Sequence, residues 1–174
     1  MCRKIVLAVL VSWIAVGVSR AQEPPKPGPE HERLKEMVGT WDAVIEMEGQ
    51  KSKGSATYKL VGGGMWLVSD FQGDFGGLPF EGHGVDGFDL RKKKYVSVWV
   101  DSMESSPLRL EGTYDAKTKM LTMSGESFAP DGSPMKLKTT TQTKDKDHST
   151  FKMFMVLPDG KDQLMMTIEY TRKK

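Results

Sequence analysis

From Trp41 onward the apolar side chains of this chain recur at every second position, and no internal segment carries the three-to-four spacing of a second long helix. Trp41, Ala43, Ile45 and Met47 alternate with Asp42, Glu46 and Glu48, with Val44 as the exception. Leu108, Leu110 and Tyr114 alternate with Arg109, Glu111 and Thr113. Phe151, Met153, Met155 and Leu157 share one face of a later run, and Leu164, Met166, Ile168 and Tyr170 one face of the last. A period of two puts successive side chains on opposite faces of an extended strand, so each run has one face for a core and one for water. Turn-forming clusters at 89–94, 115–119, Asp131-Gly132-Ser133, 145–148 and Pro158-Asp159-Gly160 punctuate the runs. Their spacing of about ten residues favours hairpins over helical crossovers. A meander of that kind curls until its edges meet, because closure removes the unpaired edge groups.

The expectation is therefore an all-β fold: an antiparallel up-and-down barrel of about ten strands over residues 30–172, preceded by one short helix. That helix is read from Glu30 for about two turns, with Leu34, Met37 and Val38 on its inner side and Glu32, Arg33 and Glu36 toward water, ending at Gly39. A barrel of this size leaves an interior wide enough for its side chains and one small ligand.

The beginning of the chain reads differently. Arg3 and Lys4 precede an apolar run over residues 5–18, and Ser19-Arg20-Ala21 offers small residues at the two positions a signal peptidase reads. Residues 1–21 are read as a signal peptide cleaved after Ala21, and residues 22–29, with four prolines, as an extended linker. The run is cut short by Ser19-Arg20, whereas a membrane-spanning helix needs about 20 apolar residues. The expected location is the periplasm or the medium, with no membrane span after cleavage. The single cysteine, Cys2, leaves with the signal, which excludes disulfides, zinc–cysteine sites, iron–sulfur clusters and cysteine nucleophiles. The full chain has 25 basic and 23 acidic residues, so loss of Arg3, Lys4 and Arg20 leaves the charges nearly balanced. No global field draws nucleic acid or an anionic membrane. The absence of asparagine removes any N-linked glycosylation acceptor.

Several short stretches look familiar together: Pro29-Glu30-His31 leading to Gly39-Thr40-Trp41, then Gly62-Gly63-Gly64, Phe80-Glu81-Gly82 with Gly87-Phe88-Asp89, Lys94-Tyr95-Val96 with Trp99-Val100-Asp101-Ser102-Met103, Glu111-Gly112-Thr113-Tyr114-Asp115, and Tyr170-Thr171-Arg172. Over residues 29–172 this set resembles the bacterial domain-of-unknown-function family 1579, which is similar to the calycin, or lipocalin-like, barrels. The Gly-x-Trp at the first strand is their shared opening. The resemblance implies an up-and-down barrel and small-molecule binding, and it supplies no ligand or reaction.

Candidate ligand-binding residues are Trp66, His83, Tyr95, Trp99, Asp101 and Met103. Trp66 and Trp99 read equally well as core packing and as a stacking wall for a flat or apolar ligand, while Trp41 in the resembling barrels closes one end. Tyr95, Ser97, Trp99, Asp101 and Met103 share one face of a strand and Val96, Val98 and Val100 the other; pattern alone leaves open which face is inside. With the mixed face inward, Asp101 is either a buried carboxylate in need of a partner or a strand-end group in water. His31, His83 and His148 are not at metal-ligand spacing, and His83 carries a minor reading as an axial haem ligand. The glycines of Gly82-His83-Gly84-Val85-Asp86-Gly87 fit a dinucleotide fingerprint only by number, since a strand continues through them where that motif needs a helix. Methionine, 12 in all, reads as core filler or an adaptable pocket lining, and less readily as a copper(I) ligand set. The basic run Arg91-Lys92-Lys93-Lys94 reads as a solvated loop.

Three functional classes follow. The leading one is a non-enzymatic carrier or sensor for a small apolar or amphipathic molecule. The second is a small-molecule enzyme using Asp101, Glu81 or His83 inside the cavity, and the third an envelope module whose outer face binds protein.

Overall fold

A computed structural model describes residues 24–75, 77–129 and 131–174. The expected signal segment, residues 1–21, lies outside the described residues. Residues 24–28 carry neither helix nor strand, and a 3-10 turn at Pro29–His31 leads into helix α1 (Glu32–Met37). Ten strands follow: β1 (Gly39–Met47), β2 (Gln50–Val61), β3 (Trp66–Phe75), β4 (Leu78–Asp89), β5 (Lys94–Asp101), β6 (Leu108–Asp115), β7 (Met120–Phe128), β8 (Pro134–Thr143), β9 (His148–Val156) and β10 (Asp162–Arg172). Each pairs antiparallel with the next, and β1 pairs with β10 from Trp41–Arg172 to Met47–Met166, which closes the barrel.

The hairpins share a local device. Asp89, Asp115, Asp131, Asp145 and Asp159 each accept a backbone N–H from two residues further on, at 2.8 to 3.0 Å. An aspartate at the start of a turn mimics the backbone acceptor that a tight turn needs, so these residues set where each strand reverses. Backbone and side-chain hydrogen bonds from the next two or three residues hold the five carboxyls below the usual carboxylate range.

In an up-and-down barrel successive connections alternate between ends. The β1–β2, β3–β4, β5–β6, β7–β8 and β9–β10 connections therefore surround one end, and the β2–β3, β4–β5, β6–β7 and β8–β9 connections the other. Helix α1 plugs this second end with Leu34 and Met37, both buried. Trp41, 1% exposed, donates its Nε1–H to the Met37 carbonyl at 2.8 Å. The Arg172 guanidinium lies 4.0 Å from the Trp41 ring centroid and donates to the carbonyls of Glu36 and Val38, both at 2.5 Å. These are carbonyls that a helix C-terminus leaves without partners, and a cation there also complements the helix dipole. From the other side the Tyr95 hydroxyl donates to the Glu30 carbonyl at 2.9 Å.

Two sequence expectations need correction. On α1, Arg33 turns inward and is 8% exposed, because its guanidinium packs on the rings of Tyr95 and Tyr114 instead of reaching water, and Val38, just past the end of the helix, is 38% exposed. On β10 the register shifts between Leu164 and Met166; that irregularity turns Leu164 outward and brings Met165 and Met166 to the interior.

Trp41→Phe removes the indole donor, leaves the Met37 carbonyl without its partner and offers the Arg172 cation a smaller ring. A loss of about 2 kcal/mol in urea unfolding is expected; an unchanged midpoint would show that the plug is not held through this ring.

Candidate functional site

Strand register settles which face of β5 is inside. Tyr95, Ser97, Trp99 and Asp101 lie opposite Phe88, Asp86, Gly84 and Gly82 of β4, and these in turn share their face with Leu67, Ser69 and Phe71 of β3. Leu67, Ser69 and Phe71 are buried, so the mixed face is the inner one and Val98 and Val100 point outward.

The Trp99 indole lies flat along β4. A Cβ added at Gly82 would sit 2.2 Å from its Cζ2, so glycine there lets the ring rest against the strand, while one at Gly84 would meet the Ser69 Oγ at 2.4 Å and the indole Cε3 at 3.2 Å. Its Nε1–H donates to Oδ2 of Asp101 at 2.8 Å, while Oδ1 of Asp101 accepts the backbone N–H groups of Met103 and Glu104 at 2.8 and 3.1 Å. Asp101 is thus a strand-end carboxylate at the open mouth whose two oxygens fix the indole and start the 102–107 loop. Met103 stands beside it at the rim, 49% exposed.

Trp66 and His83 are placed elsewhere. Trp66 is on the outer face, where its ring covers Gly87. His83 lies outside between two carboxylates, with Nδ1 2.8 Å from Asp70 and Nε2 3.2 Å from Glu81, and the hydrogen bond to Asp70, followed by that to Glu81, raises its pKa. The haem-ligand reading of His83 and the acid–base reading of His83 with Glu81 both required a place in the cavity; the alternation of β4 turns its even-numbered residues inward and these two to solvent. No cluster of histidine and carboxylate side chains fit to hold a metal ion occurs among the described residues. On the same exterior, Lys92 and Lys94 reach Glu111 at 2.9 and 2.6 Å and hold its carboxyl down to about 2, which ties up half of the basic run at 91–94.

The interior encloses a cavity of about 470 Å³, floored by α1 and open at the other end. Its wall is mostly apolar, with Phe71, Phe75, Phe80, Leu110, Met123, Leu137, Phe151, Met153 and Met166. Exposed Met47, Met103 and Phe128 stand at the mouth. Polar side chains line the rim, with Asp101, Glu104, Ser106 and Ser127, and the floor: Arg33 from α1, Tyr58 from β2, Ser69 from β3, Asp86 from β4, Ser97 from β5 and Tyr170 from β10. All five strand positions of the floor lie within a few residues of the plugged end. Burial pushes the Asp86 carboxyl above its ordinary range, with the adjoining Ser97 hydroxyl and the Arg33 charge opposing the shift. Burial likewise raises Tyr58 and takes Tyr170 up to about 12. The Arg33 Cζ sits 4.9 Å from the Tyr114 ring centroid and 5.6 Å from that of Tyr95, and its Nε is buried without a hydrogen-bond partner.

Sequence reasoning found Tyr95, Trp99, Asp101 and Met103 as lining residues and missed Arg33, Tyr58, Asp86 and Tyr170. For Asp86 a signal existed: it is in phase with Gly82 and Gly84, on the face opposite His83. Arg33 offered none, since an arginine on a two-turn helix normally belongs to the solvated side.

The family model described as Protein of unknown function (DUF1579) matches residues 26–172. Rv2717c from M. tuberculosis is similar in structure, with a TM-score of 0.63 and 15% identity, over 84% of this chain and 99% of its own. So is the S-type phycobiliprotein lyase CPES from Guillardia theta, with a TM-score of 0.52 and 11% identity, over 83% of this chain and 93% of its own. At such identities the likeness is one of fold. No curated protein matches the sequence.

Asp86→Asn tests the floor. Because the carboxyl is raised in the folded state, the fold keeps its proton to higher pH than the unfolded chain, and that contribution is lost as pH rises from near 3.8 through the folded value. Urea titrations at a series of pH values should show the variant gaining on the wild type through that window and levelling off above it; a pH-independent difference would contradict the placement of Asp86.

Proposed function

Since the chain belongs to the family described as Protein of unknown function (DUF1579), a description that assigns no activity, we propose from the cavity itself that it is a non-enzymatic carrier or sensor holding one small amphipathic molecule inside its barrel. The observation that carries this reading is an apolar wall of phenylalanines and methionines closed below by a polar floor of hydroxyls, Asp86 and Arg33, with Asp101, Glu104, Ser106 and Ser127 at the rim. Its volume of about 470 Å³ suits a single small ligand, for which pockets of about 300–1,000 Å³ are usual. An apolar tail gains about 0.8 kcal/mol for each methylene it buries there. Methionines adapt their shape to such tails better than branched side chains do.

Catalysis has less support. Of the residues read as acid or base, Asp101 alone lines the cavity, and both of its oxygens are engaged by Trp99, Met103 and Glu104. The proposal includes export: the apolar run and Ser19-Arg20-Ala21 direct the chain out of the cytoplasm, with removal after Ala21, so that the barrel works in the periplasm or the medium.

Titration of residues 22–174 with the uncharged fluorophore N-phenyl-1-naphthylamine tests the carrier reading. Saturable binding at one probe per chain is expected, with energy transfer from Trp99, and Met153→Trp, which fills the wall, should weaken it about ten-fold, or 1.4 kcal/mol. Non-saturable binding, or binding indifferent to Met153→Trp in a variant with an unchanged circular dichroism spectrum, would overturn it.

A further inference from the structure

We propose that the molecule held in the barrel is a monocarboxylic acid, its carboxylate bound on the cavity floor with the guanidinium of Arg33 as counter-ion. This rests on the carrier reading and adds to it the chemistry of the head group.

Arg33 is 8% exposed, yet its guanidinium makes no hydrogen bond and no ion pair among the described residues. Its contacts are the faces of Tyr114 and Tyr95, at 4.9 and 5.6 Å. These rings hold the planar group in place and attract its charge, but they accept none of its N–H groups in the ordinary sense. A buried charge that lacks an anion is costly, and the cost disappears when an anion arrives. Arg33 is also the one cation among the described residues that line the cavity.

The charge balance of the floor selects the sign of the ligand. Arginine cannot shed its proton inside a protein, whereas a buried aspartate can take one up. Asp86 is near enough to be felt by Arg33 without forming an ion pair with it, and these two alone carry charge among the inner-floor side chains, so that inner face is neutral with Asp86 ionised and positive with Asp86 protonated; Glu30, Glu32 and Glu36 neighbour Arg33 only in a second, outer pocket. An amine head would face an arginine it could not discharge. A phosphate dianion would exceed the single cation, while a carboxylate matches it and suits the flat guanidinium fork.

The surroundings of Asp86 make the binding pH-sensitive. Facing it are Arg33 from α1, Tyr58 from β2, Leu67 from β3, Ser97 from β5 and Tyr170 from β10; Glu36 acts on Arg33 from the outer side of the helix. A carboxylate placed beside this group favours its protonated form, in which Asp86 donates a hydrogen bond to the ligand. Binding then takes up a proton and weakens as pH rises.

Calorimetric titration with decanoate, decanol and decylamine separates the readings. Decanoate should bind at least about ten-fold more tightly than decanol, the scale of one charge-assisted hydrogen bond. Arg33→Met and Arg33→Gln should each abolish that preference while leaving decanol within about two-fold, a change too small for a lost ionic contact. Asp86→Asn should keep decanoate binding and flatten its pH dependence. Equal binding of acid and alcohol, tightest binding of the amine, or a preference that survives both Arg33 variants would overturn the head-group assignment while sparing the carrier reading. Failure of all three compounds, together with failure of the uncharged probe, would remove the carrier reading as well.

Discussion

The pairing of the first strand with the last is the constraint on which everything else depends. Once β1 and β10 bond from Trp41–Arg172 to Met47–Met166, the sheet has no edge, and ten tilted strands enclose more width than their own side chains fill. A core of this kind would be empty at its centre and weak at its ends. Helix α1 resolves one end: Leu34 and Met37 enter the barrel, Trp41 bonds back to the helix, and Arg172 satisfies its last carbonyls. The other end stays open, and the result is a cup with a floor and a mouth.

The floor and the wall obey different rules. Along the wall, burial of phenylalanine, leucine and methionine stabilises the barrel in the ordinary way, and Trp99 lies back against glycines so that it lines the space without filling it. On the floor the chain places an arginine without an anion, an aspartate with a raised pKa and two tyrosines whose hydroxyls resist ionisation. Packing alone would favour apolar residues at these positions, since an unpaired buried charge lowers stability. Groups that oppose folding and converge on one cavity are the kind that binding sites retain.

Much of the fold could be read in the chain because alternation and turn chemistry are local. Aspartates at 89, 115, 131, 145 and 159 mark reversals that the hydrogen bonds confirm, and Trp41 opens the first strand at the plugged end. What alternation cannot report is which face is inside when one face is valine and the other is Tyr-Ser-Trp-Asp. A cavity relaxes the demand for apolar residues, so the mixed face of β5 faces in and Val98 and Val100 face out. Trp66 and Trp99 looked alike for the same reason, and only register puts one outside over Gly87 and the other inside over Gly82 and Gly84. The turn of Leu164 to solvent came from a register shift beside Met165, which a strict period of two does not foresee. Arg33 was invisible because its environment is made by residues far away in sequence, Tyr95 and Tyr114.

Native mass spectrometry of the protein purified from its own source, without added lipid or detergent, addresses the central claim most directly. The account predicts a population heavier than the bare chain by one small acid, released on denaturation and recovered in negative-ion mode. A chain that is bare in every preparation, and remains bare after incubation with a mixture of amphiphiles from that source, would contradict it.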